Sequence, residues 1–246
     1  MPFGCGIVSA RGRNVRNPWL LSPSSPHAAV RHLEELRRLR GNDLIEARLA
    51  PQADLVAGVD EVGRGAVAGP VVAAAVILPR GTRIPGLDDS KRLSEGQRRR
   101  LCSVITGKAL SVGVAALSAK TIDEIGIKAA TLCAMRKAVD RLLLVPRVIL
   151  VDGRDPIPGL TCLQETVVKG DQRSNSIAAA SIVAKVSRDH FMRLVHPRFP
   201  QYAFEENKGY GTIPHMEAVE RWGLTTLHRH SFLGKAHQDQ LSLFEG

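Results

Sequence analysis

No apolar run in this chain is longer than a β-strand, and that limits it to a fold of short buried strands. The longest, Val71–Leu78, is eight residues of Val, Ala, Ile and Leu. A helix crossing a bilayer needs about 20 such residues. Leu55–Asp60, Val71–Leu78, Ala109–Leu117 and Arg147–Asp152 are short, rich in β-branched residues and bounded by Gly, Pro or charged residues, so they read as strands. Between them the period changes to that of helices. Ser94 with Gln97 forms a capping-box pattern that opens a helix to about Ile105. Lys128–Leu144, the Ala-rich Asn175–Val195 and Pro214–Trp222 continue with helical spacing. Strands alternating with helices predict an α/β domain with a mixed sheet, over residues 54–234.

The flanks differ in composition. Met1–Pro26 holds Arg, Gly, Ser and Pro and no acidic residue. Ser25-Pro26 then reads as a cap and first-turn proline for a helix to about Arg40, stopped by Gly41-Asn42. Residues 1–53 are therefore expected to be a partly ordered basic extension, an added segment or an upstream start rather than a targeting peptide. Cys5, Cys102, Cys133 and Cys162 lie far apart, two of them in predicted helices. This pattern predicts a reduced, cytoplasmic chain with no disulfide framework. His228 and His230 have no further Cys or His at ligand spacing, so no structural zinc site is expected. The net charge of +10 favours a polyanionic partner such as nucleic acid over a membrane.

Four carboxylates stand where predicted strands end or helices begin. Asp60 and Glu61 are adjacent at the end of the first strand. Asp152 ends Val148–Val151, and Asp171 precedes the Ala-rich helix. Each alone has a plain explanation, such as turn chemistry for Asp152-Gly153 or a helix-entry charge for Asp171. Adjacent carboxylates repel, however, and a hard divalent cation reverses that sign. Gly63-Arg64-Gly65 follows at once, with glycines that let backbone approach a phosphate closely. Together these point to metal-assisted phosphoryl transfer.

Several motifs carry a closer likeness. Asp60–Gly65 with Ala68-Gly69-Pro70-Val71, Asp89-Ser90-Lys91, Val151-Asp152-Gly153, Lys169-Gly170-Asp171 through Ser176–Val186, Lys208–Thr212 and His228–Phe232 occur in one order. In that order they resemble bacterial ribonuclease HII, from about Leu55 to Phe232. The resemblance implies the RNase H-like fold, a mixed five-stranded sheet flanked by helices, with a C-terminal helical part. It implies hydrolysis of the RNA strand of RNA–DNA hybrids and cleavage 5′ of ribonucleotides embedded in duplex DNA, leaving 3′-hydroxyl and 5′-phosphate ends. Asp60, Glu61, Asp152 and Asp171 would be a catalytic tetrad holding Mg²⁺ or Mn²⁺. Gly63, Arg64 and Gly65 would clasp the ribose 2′-hydroxyl, and Tyr210 would stack on the next sugar. Lys91, Lys169 and Arg173 are candidate phosphate contacts. A junction-resolving or strand-transfer nuclease of the same fold and an inactive hybrid-binding module are the alternatives.

Residues 235–246 form a polar tail ending in Gln240-Leu241-Ser242-Leu243-Phe244. Apolar residues there are unexpected unless something buries them. The pentapeptide resembles the peptides that dock on the bacterial sliding clamp, through Gln240, Leu241, Leu243 and Phe244. A tail folded back on the domain is the other reading. The enzyme is expected to be a monomer.

Overall fold

The computed structural model describes residues 55–87 and 93–233. The expected N-terminal helix, Lys91, and the tail residues Gln240, Leu241, Leu243 and Phe244 lie outside them. Strands β1 (Val56–Val62), β2 (Val71–Ile77) and β3 (Ser111–Leu117) form an antiparallel meander. β4 (Val148–Asp152) and β5 (Leu163–Val167) extend it in parallel, giving the order β3-β2-β1-β4-β5. The helices are α1 (Glu95–Lys108), α2 (Ala119–Ile125), α3 (Ile127–Asp140), α4 (Asn175–Val195), the four-residue α5 (Phe204–Asn207) and α6 (Ile213–Trp222). No helix among the described residues is long and apolar enough to cross a membrane.

Both faces of the central strands are covered, which is why β2 carries no polar residue. Ala73, Ala75 and Ile77 join Ala57, Val59, Ile149 and Val151 against Ala130, Ala134, Met135 and Ala138 of α3. The opposite face of β2, Ala74 and Val76, packs on Ala179, Ala180, Ile182 and Val183 of α4 and on Ile105 of α1. Alanines on both sides bring helix backbone near the sheet. At Gly58 the approach is closest, since a methyl group there would land on the backbone of Ser176 and Ile177. This contact seats α4 across the strand that carries Asp60 and Glu61.

The capping box forms as expected: Gln97 N–H donates to Ser94 Oγ at 3.2 Å, and Ser94 N–H to Gln97 Oε1 at 2.8 Å. Three expectations need correction. Helix α3 ends at Asp140 rather than Leu144, because the chain must turn into β4 ahead of Pro146. Leu143 and Val145 consequently stand 88% and 85% exposed in that turn. β5 was not anticipated, since Leu163-Gln164-Glu165-Thr166-Val167 is a polar edge strand with only Val167 buried. Helix α2 was also missed, although Ser118 caps it by accepting from Thr121 N–H.

The C-terminal helical part has its own small core of Ala68, Met192, Tyr202, Phe204 and Ala218. The Tyr202 and Phe204 rings stack there at 5.5 Å, and His228 meets Tyr202 edge-on at 5.0 Å. His215 and His228 are buried with their Nε2 atoms 3.1 Å apart, and Thr225 N–H donates to His228 Nδ1. Burial first, then the neighbouring His215, pushes His228 down to about 4. A histidine depressed in the folded state favours folding above its ordinary value of 6.5, and that favour is lost as pH falls from there through about 4. The loss is on the order of 2–3 kcal/mol and is shared with the neighbouring His215, which burial also lowers. Urea midpoints should fall across this window, and His228→Gln should flatten the fall while lowering stability at pH 7. An unchanged slope in the variant would place the acid sensitivity elsewhere.

Candidate active site

Parallel pairing builds the centre of the site. Val59 lies opposite Val151 in the β1–β4 register, so the next step along each strand brings Asp60 and Asp152 side by side at their carboxyl ends. Ligands collect at this edge in open α/β sheets. β1 does not stop at Asp60, because Val62 still pairs with Val72 of β2. Asp60 and Glu61 are therefore inside the strand and point to opposite faces, not together off its end. Asp60 faces α4, where Ser181 hydrogen-bonds its carboxylate. Glu61 faces α3, in a small cleft shared with Arg64, Lys128, Thr131, Asp152 and Arg154.

Burial, then the Glu61 and Asp152 carboxylates, holds Asp60 well above the usual carboxylate range. Burial also raises Glu61, opposed by Arg64, whose Nη1 lies 3.4 Å from Glu61 Oε1. Asp60 Oδ1 accepts Glu61 N–H at 2.7 Å, and Asp152 Oδ1 accepts Gly170 N–H at 2.7 Å. The second bond ties the Asp171 turn to the β4 end. Lys169 enters that turn left-handed at φ 56°, and Asp171 is buried in one turn of 3-10 helix, Gly170–Gln172, ahead of the Ser174 cap of α4.

Asp60, Glu61 and Asp152 thus share one electrostatic neighbourhood, while Asp171 is attached to it through Gly170. Among the described residues no three acidic, histidine or cysteine side chains converge to metal-ligand distance. Asp60 and Asp152 each spend an oxygen on a backbone N–H, and Glu61 leans on Arg64. The donor set still fits a hard divalent cation, because it is all oxygen and the buried Asp60 carboxylate lies in the field of the Glu61 and Asp152 carboxylates.

Beside the carboxylates, the Gly63–Gly65 turn is stitched to two distant segments. Val67 and Ala68 N–H donate to Gly209 carbonyl at 2.9 and 3.0 Å, and Gly69 N–H to Leu227 carbonyl at 2.7 Å. Gly63 has φ 91°, and any side chain there would strike the Arg188 guanidinium. Arg64 and Gly65 are exposed, and Tyr210 is half-buried at the same edge. The Tyr210 ring sits over Arg188 Cζ at 5.3 Å and Lys185 Nζ at 5.7 Å. Lys169 and Arg173 are exposed near Asp171.

Sequence reasoning missed Arg188 and Arg229, both fully buried beneath this turn. The one available signal was the arginine between His228 and His230; Arg188, set among Ser187, Asp189 and His190 on α4, carries no local sign of burial.

The sheet order β3-β2-β1-β4-β5, with Asp60 and Asp152 brought together by the adjacent parallel strands β1 and β4, is that of an RNase H-like fold. A family model for Ribonuclease HII matches residues 57–235, and the chain belongs to that family. It is 52% identical over 186 residues to Ribonuclease HII of Syntrophus aciditrophicus, covering 76% of this chain and 87% of that one. The ribonuclease H2 of Pyrococcus horikoshii superposes with a TM-score of 0.63 at 27% identity, over 72% of this chain and 93% of that chain. The RNase HII of Archaeoglobus fulgidus, solved in a PCNA:RNase HII complex, superposes with a TM-score of 0.62 at 26% identity, over 72% and 94%.

Proposed function

We propose that this protein is a metal-dependent endoribonuclease. It hydrolyses the RNA strand of RNA–DNA hybrids and cuts 5′ of ribonucleotides embedded in duplex DNA, leaving 3′-hydroxyl and 5′-phosphate ends. The observation that carries this is the closeness of Asp60 and Asp152, one step past the Val59–Val151 pair of adjacent parallel strands, with an exposed glycine–arginine turn beside them. Asp60, Glu61, Asp152 and Asp171 are the residues to hold Mg²⁺ or Mn²⁺. When bound, such ions supply Lewis-acid activation of a water and charge stabilisation for the leaving 3′-oxygen.

The chain's own groups do the selecting. Backbone donors of Gly63–Gly65 read the 2′-hydroxyl, the one group that separates RNA from DNA at a given position. Arg64 exchanges its contact with Glu61 for a phosphate. Tyr210, braced from behind by Arg188 and Lys185, stacks on the sugar beyond the cut. Lys169, Arg173 and Lys91 hold phosphates farther along. A duplex with one ribonucleotide, assayed beside its all-DNA twin with each metal, tests the reading. Equal cutting of the twin would favour a DNA nuclease, and no cutting with either metal would favour a binding module.

The tail Gln240–Phe244 is proposed to tether the enzyme to a sliding clamp, raising its local concentration on newly made DNA. The PCNA complex of the Archaeoglobus fulgidus protein supports this. Leu243→Ala with Phe244→Ala should abolish capture by purified clamp without altering cleavage of short duplexes. Undiminished capture would assign the tail another role.

A further inference from the structure

Two arginines without a carboxylate partner lie buried under the clasp. Arg229 and Arg188 are fully inaccessible to solvent, and neither has an acidic group at ion-pair distance among the described residues. A buried guanidinium is costly to keep unless its donors are used. Here the partners are backbone carbonyls. Arg188 Nε, Nη1 and Nη2 donate to Pro70, Lys208 and Ala68 carbonyls at 2.9, 2.8 and 3.0 Å. Arg229 Nε and Nη2 both donate to Gly69 carbonyl, at 3.1 and 2.9 Å, and Nη1 to Arg64 carbonyl at 2.9 Å.

The last bond has a geometric consequence. Carbonyl and N–H of one trans peptide point in opposite directions. The Arg64 carbonyl is held from the protein interior, so the Gly65 N–H of the same peptide points outward. Gly65 is exposed, and the space at its Cβ position is open to 4 Å. Its N–H has no acceptor among the described residues. A cation on the carbonyl also polarises the peptide and strengthens its donor.

We propose that Arg229 is a specificity-determining positioning residue. By holding the Arg64 carbonyl it presets the Gly65 N–H as the donor that recognises a ribose 2′-hydroxyl. The proposal rests on the ribonuclease reading above and adds a residue that touches no substrate atom. Arg188 does the matching work across the cleft, joining the Ala68–Pro70 segment to the Lys208 carbonyl beneath Tyr210.

Arg229→Lys separates positioning from simple support. Lysine keeps the charge but cannot hold the Arg64 and Gly69 carbonyls in one planar fork. Affinities for a one-ribonucleotide duplex and its all-DNA twin are measured by fluorescence anisotropy in chelator. The wild type should prefer the ribonucleotide duplex. In Arg229→Lys that preference should fall about tenfold, the scale of one hydrogen bond. All-DNA binding should stay within about twofold, as expected for a contact that leaves phosphate neutralisation untouched. A lower melting temperature with the preference intact would overturn the proposal and leave the ribonuclease reading standing. A wild type without any preference would overturn both. A second measurement needs no variant: the Gly65 amide proton of the wild type should shift with the ribonucleotide duplex and not with its twin. Equal shifts with both would also overturn it.

Discussion

Asp60→Asn should reduce cleavage by roughly 10³-fold or more, the scale of losing a principal charged group in catalysis. Binding of a ribonucleotide-containing duplex should survive, and the protein should become more stable in chelator. Asn keeps the shape of Asp60, and its side-chain oxygen can still accept Glu61 N–H, now at 2.7 Å. What it removes is a charge that burial and the Glu61 and Asp152 carboxylates already disfavour. Relief of about 1 kcal/mol would raise the melting temperature by roughly 2–4 °C in a domain of this size. Divalent metal should stabilise the wild type more than the variant, because only the wild type gains by neutralising that charge. Retained turnover would remove Asp60 from the site. Loss of binding together with activity would make its role one of folding.

Gly58→Ala carries the largest expected stability effect. Its methyl group would meet the backbone of Ser176 and Ile177 in the first turn of α4, which no side-chain rotation can relieve. Inserting one carbon into a packed interface usually costs about 1–3 kcal/mol. A backbone clash at the centre of the sheet belongs at or above the upper end, roughly 3 kcal/mol or more. Activity should fall further than stability alone explains, because the shift moves Asp60 on β1 against the Asp171 turn that enters α4. A urea titration of Gly58→Ala beside Gly96→Ala, a glycine of α1 with open space around it, makes the comparison. Similar midpoints for both variants would contradict the close-approach account.

Much of the site was legible because carboxylates at the ends of apolar strands are chemically conspicuous. Asp60 and Asp152 follow runs of buried residues, and the β1–β4 pairing sets them together as that pattern suggests. The separation of Asp60 and Glu61 onto opposite faces was not legible. It depends on Val62 pairing with Val72, a partner across the β1–β2 turn. Arg188 was hidden for a similar reason. Its hydrogen bonds reach carbonyls of Ala68 and Pro70, 120 and 118 residues earlier, so locally it looks like any arginine on a helix. Arg229 likewise reaches back 165 residues to Arg64. β5 escaped because an edge strand with one wet face needs little apolar content. The capping box of α1, by contrast, is wholly local, and Ser94 and Gln97 adopt it as written in the chain.

The central claim is that buried carboxylates cut and the adjacent turn chooses the ribonucleotide. Mapping the ends produced from a labelled duplex with one ribonucleotide tests both halves at once. With Mg²⁺ or Mn²⁺ the account predicts one cut, on the 5′ side of the ribonucleotide, leaving a 3′-hydroxyl and a 5′-phosphate. The all-DNA twin should stay intact, and chelator should stop the reaction. A 2′,3′-cyclic phosphate product, or equal cutting of the all-DNA twin, would contradict it.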